Sequence, residues 1–141
     1  MKKVFIFTLL AAILISCEGK RGKDGKDGLL AVWKVVTLPV KANDWQPHPN
    51  SSNVSYYSVI FNVPDITKDI FLDGLIQCYR YYDDRQIVLP YVRHLTDGQF
   101  LWTQTIDYEY YVGGMEIFLT NSDFYYDSPP ESMTFVLQIL Y

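Results

Sequence analysis

Cysteine and histidine are scarce in this 141-residue chain, which holds two of each. Neither His48 nor His94 has a His, Cys or carboxylate at metal-ligand spacing, and there is no HExxH, GxSxG or Walker-type loop. Zinc hydrolysis, nucleophile-elbow and P-loop chemistry therefore have no footing, and no metal or cofactor is implied. His48 stands between prolines in Gln46-Pro47-His48-Pro49 and His94 closes an apolar run, so both read as surface histidines. Cys78, within Leu75-Ile76-Gln77-Cys78-Tyr79, reads as a small buried hydrophobe rather than a reactive thiol. Basic residues are few beyond residue 28: residues 29–141 carry six against thirteen acidic ones, a net charge of −7. Nucleic acid and anionic lipid need positive potential, so neither is expected as a partner of this part. Sustained helical periodicity is also missing, which leaves no crossover helix for an α/β fold.

What is present begins with Lys2 and Lys3, followed by an apolar run from Val4 to Ile15 broken only by Thr8, and then by small Ser16. This is the order of a signal peptide's charged, apolar and exit regions. The run is too short to cross a hydrocarbon core about 30 Å thick, which takes about 20 apolar residues. Leu14-Ile15-Ser16-Cys17 resembles the lipobox of bacterial lipoproteins. The resemblance implies a diacylglyceryl thioether on Cys17, cleavage just before it, and acylation of the new amine. Stable anchoring takes two acyl chains, and a diacylglyceryl group supplies both. With Cys17 alkylated, Cys78 has no disulfide partner. The expected division is a lipoprotein signal peptide over 1–16, the lipidated Cys17 with a linker over 17–28, and a folded domain over 29–141.

Gly19, Gly22, Gly25 and Gly28 fall at every third position, the period of collagen. No proline occupies the positions between them, and their charges nearly cancel: Lys20, Arg21, Lys23 and Lys26 face Glu18, Asp24 and Asp27. The stretch therefore reads as a nearly neutral spacer rather than a triple-helix seed or a basic patch.

From residue 31 on, apolar runs of strand length alternate with turn residues. The pattern places strands over 31–40, 55–63, 73–82, 86–94, 100–112, 115–120 and 133–141. Polar loops fall over 41–53 and 121–132, and one helical turn is possible within 64–69. Pro90 marks its strand as an edge or a bulge. Asp83-Asp84, Thr96-Asp97-Gly98 and Gly113-Gly114 supply turns. Phe100, Trp102, Ile106, Tyr108, Tyr110 and Val112 share one strand face, and Thr103, Thr105, Asp107 and Glu109 share the other. About seven short strands predict an all-β fold: an antiparallel β-sandwich, immunoglobulin-like in architecture but without the Cys…Trp…Cys framework.

Two constellations could carry chemistry. Asp107 and Glu109 lie on one strand face, and a glycosidase needs a pair of carboxylates, but that face is the solvated one. Asp83-Asp84 and Asp123 with Asp127 could offer oxygens to Ca²⁺, yet the Asp-x-Asp-x-Asp-Gly loop is absent and acids serve turns for local backbone reasons. The remaining feature is an aromatic content of 16%, with 12 Tyr, 8 Phe and 3 Trp. Pairs such as Tyr56-Tyr57, Tyr81-Tyr82 and Tyr110-Tyr111 must leave some rings outside, since adjacent strand residues face opposite ways. Exposed Tyr and Trp can stack on sugars or anchor a protein; they are also ordinary strand residues.

The lipobox running into Cys-Glu-Gly, together with Val32-Trp33-Lys34-Val35-Val36, Asp44-Trp45, Val63-Pro64-Asp65-Ile66-Thr67, Leu89-Pro90-Tyr91, Trp102-Thr103-Gln104-Thr105-Ile106-Asp107-Tyr108 and Phe135-Val136-Leu137, resembles small uncharacterised lipoproteins of Bacteroidota with a collagen-like glycine-triplet linker and a β-sandwich domain. What the resemblance implies is lipidation at Cys17 and no catalytic residue. The expectation is a non-enzymatic cell-envelope lipoprotein, held at the outer membrane through its N-terminal lipid, with an envelope protein or a glycan as possible partner.

Overall fold

The computed structural model describes residues 32–49, 54–124 and 129–141, with only the backbone of Val54. Cys17, the signal segment, the glycine triplets and Asp127 lie outside the described residues.

Period-two alternation sets the strands. Strand β1 (Trp33–Val40) turns Leu38 and Val40 inward. Strand β3 (Val54–Asn62) buries Tyr57 and Val59 with Phe61 half-buried, and Val63 is buried just beyond it. Between them the expected polar loop holds a short strand, β2 (Gln46–Pro49), after a 3₁₀ turn at Ala42–Asp44. Two of its four residues are prolines without an N–H, so it can only be an edge, and it pairs with β3 alone.

The helical turn falls later than the sequence suggested, as α1 (Lys68–Asp73). Its start is fixed by Thr67, whose hydroxyl accepts the Ile70 N–H at 3.3 Å. Its end is fixed by Gly74, where a Cβ would lie 2.6 Å from the Ile70 carbonyl oxygen. Ile70 is the residue it buries. Strand β4 (Leu75–Tyr82) follows and buries Ile76 and Cys78. The Asp83-Asp84 turn has positive φ at both residues, 45° and 59°, the geometry that suits a two-residue hairpin.

The single strand expected over 86–94 is two. β5 (Arg85–Val88) pairs with β4, and β6 (Tyr91–Thr96) pairs with β7 (Leu101–Tyr111) in the other sheet. The chain changes sheets at Leu89-Pro90, whose peptide bond is cis. The corner is pinned on both sides of the buried Leu89 side chain: its N–H donates to the Cys78 carbonyl at 3.0 Å, and Gln77 Nε2 donates to its carbonyl at 3.0 Å. β7 turns through Val112-Gly113, with Gly113 at φ 89°, into β8 (Gly114–Asn121), and the chain ends in β9 (Met133–Leu140).

Among the described residues the result is an all-β antiparallel sandwich of nine strands, two more than the sequence pattern counted. One sheet runs β1-β9-β4-β5 and the other β2-β3-β8-β7-β6. The architecture is the expected one, although the strand order, with the first strand beside the last, is not the ABED and CFG arrangement of antibody domains. Phe135, Leu137 and Ile139 of β9 meet Ile106, Met115 and Ile117 of the facing sheet to form the core. Tyr108 Oη reaches across it to donate to the Ile76 carbonyl at 3.3 Å.

The pairing of β1 with β9 also puts both ends of the described chain at one pole. Val32 and Tyr141 exchange backbone hydrogen bonds of 2.7 and 3.1 Å there, beside α1 and the Val112-Gly113 turn. The opposite pole carries the Asp83-Asp84 turn, the 97–100 turn and the described residues that follow β8 and precede β9, 122–124 and 129–132. No helix among the described residues is long and apolar enough to cross a membrane.

Candidate functional site: a polar cleft at the far pole

Inward parity continues along β6 and β7 past the point where apolar side chains stop. On β7, Trp102 and Gln104 share the parity of fully buried Ile106, and on β6 half-buried Tyr91, Arg93 and Leu95 alternate with exposed Val92, His94 and Thr96. At the pole opposite the ends of the described chain, Arg93, Trp102 and Gln104 face a cleft of about 880 Å³, which Met133 and Pro129-Pro130 also line. That size suits a small ligand or one or two sugar rings.

The cleft's polar floor is one row of the sheet. Arg93, Gln104 and Asn121 are register partners across β6, β7 and β8. Arg93 donates from Nε and Nη2 to the single Gln104 Oε1, at 3.0 and 2.7 Å. Gln104 Nε2 donates onward to Asn121 Oδ1 at 3.2 Å. The ion pairs among the described residues are Lys34–Asp65 and Arg80–Glu131, so the Arg93 guanidinium is held by the Gln104 amide rather than by a salt bridge.

Three carboxylates, Asp97, Asp123 and Glu131, line the cleft beside this row. Asp97 accepts the N–H groups of Gln99 and Phe100 at 2.9 and 2.8 Å, which holds its carboxyl below the usual range and shapes the turn that presents exposed Phe100 and Leu101 at the cleft mouth. Glu131 lines the cleft and also accepts Arg80 Nη2 at 2.9 Å. Arg80 is 3% exposed, with its guanidinium 5.1 Å over the Tyr82 ring and its Nε without a partner. The segment at Glu131 is fixed further by Trp45, whose Nε1 donates to the Glu131 carbonyl at 3.2 Å while its ring meets Phe135 edge-on. The cleft thus offers donors, acceptors and the half-buried Trp102 ring together.

The other candidates are placed elsewhere. Asp107 and Glu109 lie on the outer face of β7, where Glu109 faces Glu116 across the ladder; neither lines the cleft. Asp107 is less solvated than its outward position suggested: partial burial, across the ladder from Phe118, raises its pKa. His94 is exposed, with Nδ1 3.3 Å from Thr103 Oγ1. His48 is half-buried rather than free on the surface, stacked on Tyr56 at 4.4 Å. Its Nε2 lies 2.8 Å from Ser58 Oγ, an arrangement that in a cleft would suggest a nucleophile and its base. Ser58 is only 2% exposed, so the pair satisfies a buried hydroxyl instead.

Cys78 is fully buried and desolvation pushes its thiol up to about 12, in keeping with a packing role. Asp83 and Asp84 form their turn, with Asp84 accepting the Tyr81 hydroxyl at 2.8 Å, and no group of three His, Cys, Asp or Glu among the described residues is placed to hold a metal ion.

Sequence reasoning missed the Arg93-Gln104-Asn121 row. Its signal was a polar residue at an inward position: Gln104 interrupts the face of Trp102, Ile106 and Tyr108, and Arg93 does the same between Tyr91 and Leu95. Comparison with family models, with curated proteins and with solved structures finds no match to this chain.

Proposed function

We propose that this chain is a lipid-anchored cell-envelope lipoprotein, held at the outer membrane by a diacylglyceryl Cys17, whose sandwich is a non-catalytic binding module. The observation that carries the reading is Leu14-Ile15-Ser16-Cys17 directly after a basic and then apolar start. The cleft suits it: a convergent row of hydrogen-bonding side chains beside an aromatic ring is equipped to hold a ligand. Substituting Cys17→Ser tests the anchor. The variant should leave the membrane fraction and lose metabolic acyl labelling; a variant that stays membrane-bound with unchanged labelling contradicts it.

A second reading, a carbohydrate-binding accessory lipoprotein, is favoured by the cleft's composition. Sugar hydroxyls donate and accept at once, which matches amide, guanidinium and carboxylate groups side by side, and a pyranose C–H face can rest on Trp102. A glycan array separates the two: saccharide binding that disappears in Trp102→Ala supports the second reading, and an empty array with intact membrane anchoring favours an envelope protein as the partner.

A further inference from the structure

Exposed apolar side chains collect at the pole where the described chain begins and ends. Trp33, Leu140 and Leu75 stand in one row across β1, β9 and β4, with Trp33 59% and Leu75 62% exposed. α1 runs directly into this row and adds exposed Phe71 and Leu72 beside its exposed Lys68, Asp69 and Asp73; Tyr141 pairs beside Trp33, and Val112 is exposed at the hairpin tip. These parts form one surface. The Phe71 ring meets Tyr110 at 5.8 Å, Gly113 N–H donates to the Ile66 carbonyl at 2.8 Å, and Lys34 pairs with Asp65 at the rim. Beyond the row, the outward positions of β1, β9, β4 and β5 hold no charged side chain, whereas the outer face of the other sheet carries Asp107, Glu109 and Glu116. Contiguous exposed apolar surface of this kind marks a contact.

Charge and chain length decide with what. Residues 29–141 carry a net −7, so a second copy would bring two bodies of like charge together, and anionic headgroups would repel. An apolar contact with the interfacial zone of a bilayer, where Trp and Tyr settle, meets neither obstacle. The chain reaches this pole from the candidate anchor through residues 18–32, which span at most about 54 Å. We propose that this pole is a bilayer-seating surface: Trp33, Leu72 and Leu75 rest in the interfacial zone of the membrane that holds Cys17, and the Arg93 cleft at the opposite pole is thereby turned away from it. The proposal rests on Cys17 being the lipid anchor.

The test uses the full chain extracted from membranes, its mass recorded, and reconstituted into phosphatidylcholine vesicles with or without bromine on the upper acyl carbons. Trp45 is buried and Trp102 lies at the far pole, so bromolipid quenching isolates Trp33 when wild type is compared with Trp33→Phe. Wild type should show blue-shifted emission and quenching that are absent in Trp33→Phe. Leu72→Glu with Leu75→Glu should reduce the quenching at least fivefold while the chain still floats with the vesicles and its thermal melting is unchanged. An acylated chain that floats but is quenched no more than Trp33→Phe overturns the seating surface and leaves the anchor standing. Quenching of Trp33 in a chain that proves unacylated supports the surface and overturns the anchor; an unacylated chain that does not float overturns both. A blue shift in vesicle-free detergent that grows with protein concentration gives the pole to a second copy and overturns the proposal.

Discussion

Arg93 donates from both Nε and Nη2 to one oxygen of Gln104, at 3.0 and 2.7 Å, and this neutral partner is what sets the character of the far cleft. A carboxylate in Gln104's place would cancel the guanidinium charge and lock it. The amide orients Arg93 through one edge, while Asn121 orients the amide in turn.

Arg93→Met keeps most of the aliphatic stem, so packing along β6 survives and the loss falls on the cleft. Thermal unfolding should cost less than about 1 kcal/mol. Affinity for any saccharide bound by wild type should fall tenfold or more, read by titration on the glycan that the array identifies.

Glu131→Gln removes the anionic partner of Arg80, which is 3% exposed. Stranding a buried charge costs about 3–5 kcal/mol when both partners are buried. The Glu131 side chain is 61% exposed, so water screens the pair, and a cost of about 2 kcal/mol is expected in urea unfolding. A variant as stable as wild type would show that the Glu131 charge adds nothing measurable to the hydrogen bond, the Tyr82 ring and the packing that hold Arg80.

Cys78 is fully buried with its thiol pushed up to about 12, so the native chain should not react with a thiol reagent at neutral pH through this residue. In denaturant the mature chain should show one reactive thiol if Cys17 is alkylated. A count of two would mean that Cys17 carries no thioether.

Asp107 has its folded-state pKa raised by partial burial. The native state therefore binds more protons than the unfolded chain between the ordinary aspartate value and the raised one, and stability falls as pH rises through that window. Asp107→Asn should be slightly more stable than wild type at neutral pH, by about 0.5 kcal/mol or less given the water around it. The gain should vanish near about pH 3, where both states of the wild type are protonated. Melting curves at the two pH values check the sign.

Most strands were legible because alternation survives in them. The Tyr57-Val59-Phe61-Val63 face and the Met115-Ile117-Leu119 face turn inward as period-two spacing requires, with Phe61 half-buried and the others buried. What escaped did so for physical reasons. β2 is built of Gln, Pro, His and Pro, which reads as loop because only an edge tolerates it. The Leu89-Pro90 corner divides what looked like one strand between two sheets, since its position depends on Cys78 and Gln77, more than ten residues earlier in the chain. The cleft depends on register across three strands, and register is a property of the assembled sheet. Asp107 was read correctly as outward-facing, but its partial burial comes from Phe118 on the neighbouring strand.

The proposed anchor at Cys17 decides the account, because the reading as an envelope lipoprotein rests on it. Intact mass spectrometry of the chain extracted from bacterial membranes measures it directly. The account predicts a mature chain beginning at Cys17 and carrying a diacylglyceryl group, with a further acyl chain on its amine. A mature chain that begins at another residue, or that begins at Cys17 with no added mass, would contradict it.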